Sequence, residues 1–179
     1  MRLDHIAYRV RDRFKAARFF RKSLGYSISP DVPEGFDIQF EDGTMAQCLV
    51  LEPPEAPTTS VGRFAYGIFG VEFHSPPEIF VSDGSSNSIV SNWVSTTGGG
   101  IHHLAYEVNS VEQTMNKWRH QGVEFTTDKP IVCPGLVQVF TKPHPVTNII
   151  YELIEREALG FCKDSVKDLM NSTRDIKNG

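Results

Sequence analysis

The feature that most constrains the fold is an internal repeat of a short pattern. Residues 5–10 read HIAYRV and residues 103–108 read HLAYEV, so histidine, an aliphatic residue, alanine, tyrosine, a charged residue and valine recur in the same order. Each copy alternates with the period of a β-strand. A repeat of this kind indicates that one supersecondary unit occurs twice in the chain.

The similarity between the two halves continues beyond the repeated strand. Asp12 and Ser110 stand at equivalent places, and both residue types cap helix N-termini. A helical run follows each of them, over residues 13–24 and 111–121, and each run is followed by a glycine suited to end a helix. A new extended stretch follows each glycine. We therefore predict an α+β fold in which two βαβββ modules pair their sheets around a shared cleft.

The remaining segments set the expected boundaries. The first module covers residues 1–97 and includes a proline-rich loop, the second covers residues 98–157, and residues 158–179 form a C-terminal tail. Val166 and Leu169 belong to an apolar set at helical spacing in this tail. This spacing predicts a terminal helix that covers an exposed apolar edge.

Composition narrows the class of protein. The 179 residues carry a net charge of −4 without a basic run, which argues against nucleic acid as a partner. The longest apolar stretches fall short of the roughly 20 residues needed to span a bilayer, and the N-terminus has no signal-peptide core. Cys48, Cys133 and Cys162 form no CxxC pair, and we interpret them as reduced thiols. We expect a cytoplasmic protein that interacts with neither membranes nor nucleic acid.

Histidines and acidic residues on the repeated strands are candidate metal ligands. His5 and His103 occupy matched positions, one in each module. Glu152 is a charge inside the apolar run of the last strand, and Glu78 is the comparable charge of the first module. Imidazole and carboxylate bind divalent ions. The four side chains, related by a pseudo-twofold axis, would form a neutral site with a divalent ion and leave positions open for a substrate.

Other histidines compete for these roles. His74 lies near Glu78 in sequence and could replace it as a ligand. His102 is adjacent to His103, but strand alternation points it to the opposite face, where a packing role is expected. His144 stands between two prolines, which is typical of a loop.

The chain resembles the vicinal oxygen chelate superfamily, which includes glyoxalase I, methylmalonyl-CoA epimerase, bleomycin-resistance proteins and extradiol and hydroxyphenylpyruvate dioxygenases. Residues 98–108, GGGIHHLAYEV, are similar to the central motif of the epimerases, and so is the preceding segment, residues 78–93. The sequences VQVFTKP at 137–143, IYELIER at 150–156 and GF at 160–161 are similar to the closing segment of 4-hydroxyphenylpyruvate dioxygenases.

The resemblance to the epimerases and to glyoxalase I implies an isomerase or lyase that stabilises an enolate at a divalent ion such as Co, Ni, Mn or Zn. Its substrate would be an acyl-CoA or a 2-oxoaldehyde. Glu152 would be both ligand and base, with Glu78 as its partner. The epimerases carry a glutamate on a strand of the first module, whereas residues 46–51 contain no acid, so Gln47 or Glu78 would have to replace it. This isomerase or lyase is our first interpretation.

Two other functions stay open. The dioxygenase resemblance implies Fe(II) held by His5, His103 and Glu152 and a substrate that is an aromatic or 2-oxo acid, although the additional N-terminal modules of those enzymes are not in this sequence. A non-catalytic binding protein of the resistance type is the third hypothesis; bleomycin-type binders lack the metal ligands. Folds of this type often dimerise, so a homodimer is a reasonable expectation.

Overall fold

The computed structural model describes residues 1–54, 76–157 and 162–174. The strands in these residues are β1 (Arg2–Arg9), β2 (Ser27–Ile28), β3 (Phe36–Gln39), β4 (Met45–Glu52), β5 (Glu78–Gly84), β6 (Gly100–Glu107), β7 (Ile131–Cys133), β8 (Leu136–Phe140) and β9 (Ile150–Arg156). The helices are α1 (Arg13–Leu24), α2 (Ile89–Thr97), α3 (Val111–His120) and α4 (Lys163–Ser172). Within the described residues, no helix is long and apolar enough to cross a membrane.

All the strands belong to one mixed sheet with the order β2-β4-β5-β1-β6-β9-β8-β7, and β3 also pairs with β4. The two repeated strands, β1 and β6, are antiparallel neighbours at its centre. The last strand of each half returns parallel to the first, since β5 pairs with β1 and β9 pairs with β6. The predicted α+β fold of paired βαβββ units is therefore confirmed.

The register between β1 and β6 makes the symmetry explicit. His5 is opposite Ala105, Ala7 is opposite His103, and Ile6 is opposite Leu104 between them. Equivalent residues of the repeat are thus exchanged across a local twofold axis near Ile6. The repeated sequence places both histidines at the centre of the molecule.

Helix ends follow the predicted signals. Asp12 accepts a hydrogen bond from the Lys15 amide at 2.9 Å, and Ser110 accepts one from the Gln113 amide at 3.3 Å. Gly25 ends α1 with φ of 76°, in the left-handed region that glycine tolerates. The apolar face of α1 is narrow: Phe20 is buried, but Phe14 is 56% exposed.

The helices cover opposite faces of the sheet. Helices α1 and α3 pack on one face, where their buried residues join separate clusters under each half. Helices α2 and α4 pack on the other face, which carries Ala7, Phe80 and Phe140. The predicted terminal helix is present as α4, and Val166 and Leu169 are buried as expected. This second face contains the candidate site.

One expectation about the cysteines is wrong. Cys133 and Cys162 form a disulfide with their Cα atoms 6.5 Å apart, whereas Cys48 is free and buried. The pair is separated by 29 residues in sequence, and only the docking of α4 beside β7 brings the two together. The disulfide attaches the start of α4 to the sheet.

Candidate metal site

Two histidines and one glutamate meet at the centre of the sheet. His5 Nε2 lies 3.3 Å from His103 Nε2 and 3.3 Å from Glu152 Oε2, and His103 Nε2 lies 3.0 Å from the same oxygen. The three side chains come from β1, β6 and β9, which are adjacent strands. All three are buried. The structure thus brings together three of the four side chains that the sequence singled out.

The spacing of these donor atoms fits a divalent ion. At metal–ligand distances of about 2.1 Å, two donors are about 3.0 Å apart at right angles and about 3.4 Å apart at a tetrahedral angle. The observed separations of 3.0 to 3.3 Å lie within this interval. Two imidazoles and a carboxylate are also the donor types that non-haem Fe(II) and Zn(II) accept. His5, His103 and Glu152 therefore could hold one ion.

A side-chain relay fixes Glu152. Gln138 Nε2 donates to Glu152 Oε1 at 2.9 Å, which leaves Oε2 directed at the histidines. Ser165 of α4 donates in turn to Gln138 Oε1. Gln138 lies on β8, next to the strand that carries Glu152. Hydrogen bonds of this kind orient a ligand before an ion binds.

A β-bulge places Asp4 behind His5. Between Leu3 and His5 the register against β6 shifts, so Asp4 is the extra residue of β1. Asp4 Oδ1 lies 2.8 Å from His5 Nδ1 and accepts a hydrogen bond from it. Arg156 donates two hydrogen bonds to the same carboxylate, at 2.8 and 3.1 Å. This contact directs His5 Nε2 toward the centre of the site.

The expectation that His102 points away from His103 is wrong. The register shifts again between Ala7 and Tyr8, which makes His102 the extra residue of β6. Because a bulge interrupts strand alternation, His102 and His103 lie on the same side, with their Nδ1 atoms 2.8 Å apart. Asp4 and His102 are therefore equivalent: each is the bulged residue before a candidate ligand, and each contacts its Nδ1.

Glu78 is not the symmetric counterpart of Glu152. In the second module, Glu152 pairs with Ala105, whose repeat equivalent in the first module is Ala7. The residue that pairs with Ala7 is Phe80, whereas Glu78 pairs with His5. The first-module position is thus occupied by an aromatic ring, and the expected four-residue symmetry is wrong. Glu78 lies outside the cluster of three. The alternative ligand His74 is not among the described residues.

The electrostatics describe a site that carries one additional proton on one of its two imidazoles. Burial opposes the charged form of Glu152, but hydrogen bonds from His103 and His5 lower its pKa to about 2. Burial also opposes the charge on His5, but hydrogen bonds to Asp4 and Glu152 raise its pKa to about 9. Burial lowers the pKa of His103. At neutral pH without metal, the proton is therefore on His5, and an ion that binds at Nε2 must displace it.

The cluster opens into an apolar pocket beneath α4. Phe80 and Phe140 form its aromatic walls, and Val166, Leu169 and Met170 of α4 cover it. The ring of Phe140 lies 4.6 Å from that of His103, centroid to centroid. The pocket also reaches Arg9 and His102, farther from the three donors. A small molecule in this pocket would be shielded from water.

Comparison with known proteins identifies the family. The model of the glyoxalase/bleomycin resistance protein/dioxygenase superfamily matches residues 4–133. The chain belongs to this superfamily. A search of curated proteins finds no match.

Solved structures of the superfamily fold match nearly the whole chain. A mutant of 4-hydroxymandelate synthase from Streptomyces coelicolor has a TM-score of 0.72 at 16% identity, and the alignment covers 97% of this chain and 53% of that one. Methylmalonyl-CoA epimerase from Mycobacterium tuberculosis has a TM-score of 0.59 at 18% identity and coverages of 87% and 88%. A variant of the Streptomyces coelicolor epimerase in complex with 2-nitronate-propionyl-CoA has a TM-score of 0.58 at 20% identity, with coverages of 88% and 99%.

The sequence did not indicate several residues of this candidate site. Asp4, His102 and Gln138 contact the candidate ligands, and Arg9 reaches the pocket at the end of β1. Gln138 carried a usable signal, because it is a polar residue within the apolar run of β8. The bulges that bring in Asp4 and His102 left no comparable signal.

Proposed function

We propose that this chain is an Fe(II)-dependent dioxygenase that acts on a 2-oxo acid. The observation that carries the proposal is the set of two imidazoles and one carboxylate, with Phe80 where a fourth ligand would stand by symmetry. Three protein ligands leave open positions on a six-coordinate ion, and this arrangement is typical of non-haem iron oxygenases. The resemblance of β8 and β9 to hydroxyphenylpyruvate dioxygenases supports the same function.

The residues of the chain have separate tasks in this reaction. His5, His103 and Glu152 would hold the ion, while Asp4, His102 and Gln138 orient them. Bound Fe(II) would supply Lewis acidity and redox chemistry with dioxygen. Helix α4 keeps water from the pocket, and the rings of Phe80 and Phe140 position the organic part of the substrate.

An isomerase or lyase of the epimerase type is the second candidate. It is supported by the epimerase-like residues 98–108 and by alignments that span 88% to 99% of the epimerase chains. An epimerase needs a second proton-transfer group, and β4 does not supply one to the pocket. On β4 the residues that face the pocket side are Ala46, Cys48 and Val50, and Gln47 instead binds Arg13. We therefore rank this function below the dioxygenase.

The deciding experiment combines metal analysis with oxygen uptake. Protein purified without chelators is analysed for metal, reconstituted anaerobically with Fe(II), and assayed with 2-oxo and aromatic acids. We expect about one iron per chain and oxygen consumption that depends on the acid. The His103→Ala variant is the control and should lose both.

Other outcomes would support other functions. Cobalt, nickel, manganese or zinc without oxygen uptake, together with deuterium exchange into an acyl-CoA or 2-oxoaldehyde, would contradict the dioxygenase and favour the isomerase or lyase. Ligand binding without any metal would favour a binding protein. Cytoplasmic location and a homodimer remain proposals; fractionation and light scattering test them.

A further inference from the structure

Arg9 is a buried cation without a charged partner among the described residues. It ends β1, lies on the same face of the strand as His5, and is 2% exposed. Arg9 Nη2 donates to Thr173 Oγ1 at 3.2 Å, but Nη1 has no hydrogen-bond partner among the described residues. A buried charge is costly unless it is paired. The position of Arg9 in the pocket wall means that a ligand can supply the partner.

The other arginines that are partly buried in the described part of the chain are paired. Arg156 binds Asp4 at 2.8 Å, and Arg13 binds Asp83 at 2.7 Å. Within the described part of the chain, no carboxylate pairs with Arg9, although it is the most buried of the three. The guanidinium packs instead near Trp93, 5.9 Å from the ring centroid. An aromatic face stabilises a cation only in part and leaves its N–H groups without acceptors.

Two further unpartnered donors lie beside Arg9. His102 Nε2 and Trp93 Nε1 are buried without a hydrogen-bond partner in the described residues. The two rings are neighbours, with centroids 5.5 Å apart. With a metal ion on His103 Nε2, the His103 proton is on Nδ1, so His102 Nδ1 accepts it and His102 keeps its own proton on Nε2. Apart from Thr173 Oγ1, which accepts from Arg9 Nη2, the side chains of this cluster therefore offer N–H donors.

Two unpartnered donors that line the pocket, Arg9 and His102, one of them charged, match an oxyanion. We propose that Arg9 and His102, supported by Trp93, form a subsite for a carboxylate at the far end of the substrate. Arg9 follows His5 by four residues, about 13 Å along an extended strand, and both side chains line the same pocket. Resting on the proposed function, this subsite narrows the substrate class to 2-oxo acids with a second, terminal carboxylate.

The test compares matched acids on metal-loaded protein. Titration calorimetry measures the binding of 2-oxoadipate and 2-oxohexanoate to the Zn(II)-loaded chain, which cannot turn over. We expect 2-oxoadipate to bind at least about tenfold more tightly, because its second carboxylate gains charge-assisted hydrogen bonds. Arg9→Met keeps an unbranched apolar stem against Trp93, and it should remove this preference while metal content and 2-oxohexanoate affinity stay unchanged.

Controls separate this subsite from the proposed reaction. Arg13→Met removes a paired arginine outside the pocket and should keep the preference. Equal affinity of the two acids for the unmodified protein, or a preference retained in Arg9→Met, would overturn the subsite. If no metal binds, hexanoate and hexanamide are compared on the metal-free chain, where Arg9 should favour the anion. A preference without oxygen uptake would overturn the dioxygenase alone, and oxygen uptake with equal affinities would overturn the subsite alone.

Discussion

Two glutamates on the pocket face of the sheet provide a matched test of the ligand set. Glu152 directs Oε2 at both histidines, whereas Glu78 is only half-buried beside His5. We predict that Glu152→Gln weakens metal affinity by about 100-fold or more, since an amide is a poorer ligand than a carboxylate, and that Glu78→Gln changes it by less than about threefold. Competition with a chelating dye measures both. Equal losses would restore Glu78 to the ligand set.

A substitution of Asp4 tests the residues that hydrogen-bond to the candidate metal ligands. Its carboxylate accepts from His5 Nδ1, and Arg156 holds it in place. Asp4→Asn weakens this acceptor, and we predict a loss of about 10- to 100-fold in metal affinity with the fold retained. Asp42→Asn is the control, because Asp42 pairs with Arg174 on the surface. The role assigned to Asp4 is wrong if both variants bind metal like the unmodified protein.

At the level of single residues, the sequence indicated which side chains could lie together in the site. His5 and His103 follow from matched positions, and Glu152 from a charge in an apolar run. The same argument made Glu78 its equivalent, but the pairing of β5 with β1 places Phe80 at that position. A strand's register depends on long-range pairing, and a shift of two residues keeps every side chain on the same face. Alternation alone therefore did not distinguish Glu78 from Phe80.

Irregularities within elements explain what alternation failed to predict. The bulges at Asp4 and His102 put two consecutive residues on the same side of a strand. Neither bulged residue is a glycine or proline, so the local sequence gives no sign of the bulge. The helices were easier to predict, because N-cap residues and terminating glycines act within one helical turn. Residues 123–127 were predicted as a strand, but only Phe125 forms a bridge, to Thr141.

The disulfide gives a prediction for α4. Cys133 and Cys162 attach the start of this helix to β7, and α4 covers the pocket. We predict that Cys133→Ser lowers the free energy of unfolding by about 2–4 kcal/mol, because the unfolded chain loses a cross-link across 29 residues. Denaturant unfolding measures the change. Reductant should bring the unmodified protein to the same stability, and unchanged stability in both cases would contradict a structural disulfide.

On the scale of the whole molecule, the twofold arrangement organises both fold and site. The repeat made the pairing of modules predictable, and that pairing brings His5 and His103 from opposite halves to 3.3 Å. The two halves differ in the side chains that they contribute to the site. The first half contributes Phe80 and the unpaired Arg9, whereas the second contributes Glu152 and Gln138. Both halves therefore contribute a histidine to the candidate metal site, but only the second contributes its carboxylate.

The proton shared by His5 and Glu152 predicts how stability depends on pH. The folded-state pKa of His5 is raised to about 9, so its contribution is complete below about pH 6.5 and is lost as the pH rises to 9. The pKa of Glu152 is lowered to about 2, so its contribution is complete above about pH 4.5 and is lost as the pH falls to 2. The two shifts describe one shared interaction and are not additive.

For the metal-free protein we therefore predict a maximum of stability near pH 6.5, because the lowered pKa values of His102 and His103 make the free energy of unfolding fall as the pH drops below that value. Above it, the free energy of unfolding should fall by up to about 3 kcal/mol before pH 9, since one pKa unit corresponds to about 1.4 kcal/mol. His5→Gln should remove this decline, so the difference between the two proteins measures the effect. Zn(II) should reverse it, because the ion replaces the His5 proton and binds more tightly as the pH rises. A decline of equal size in His5→Gln would mean that another group carries the proton.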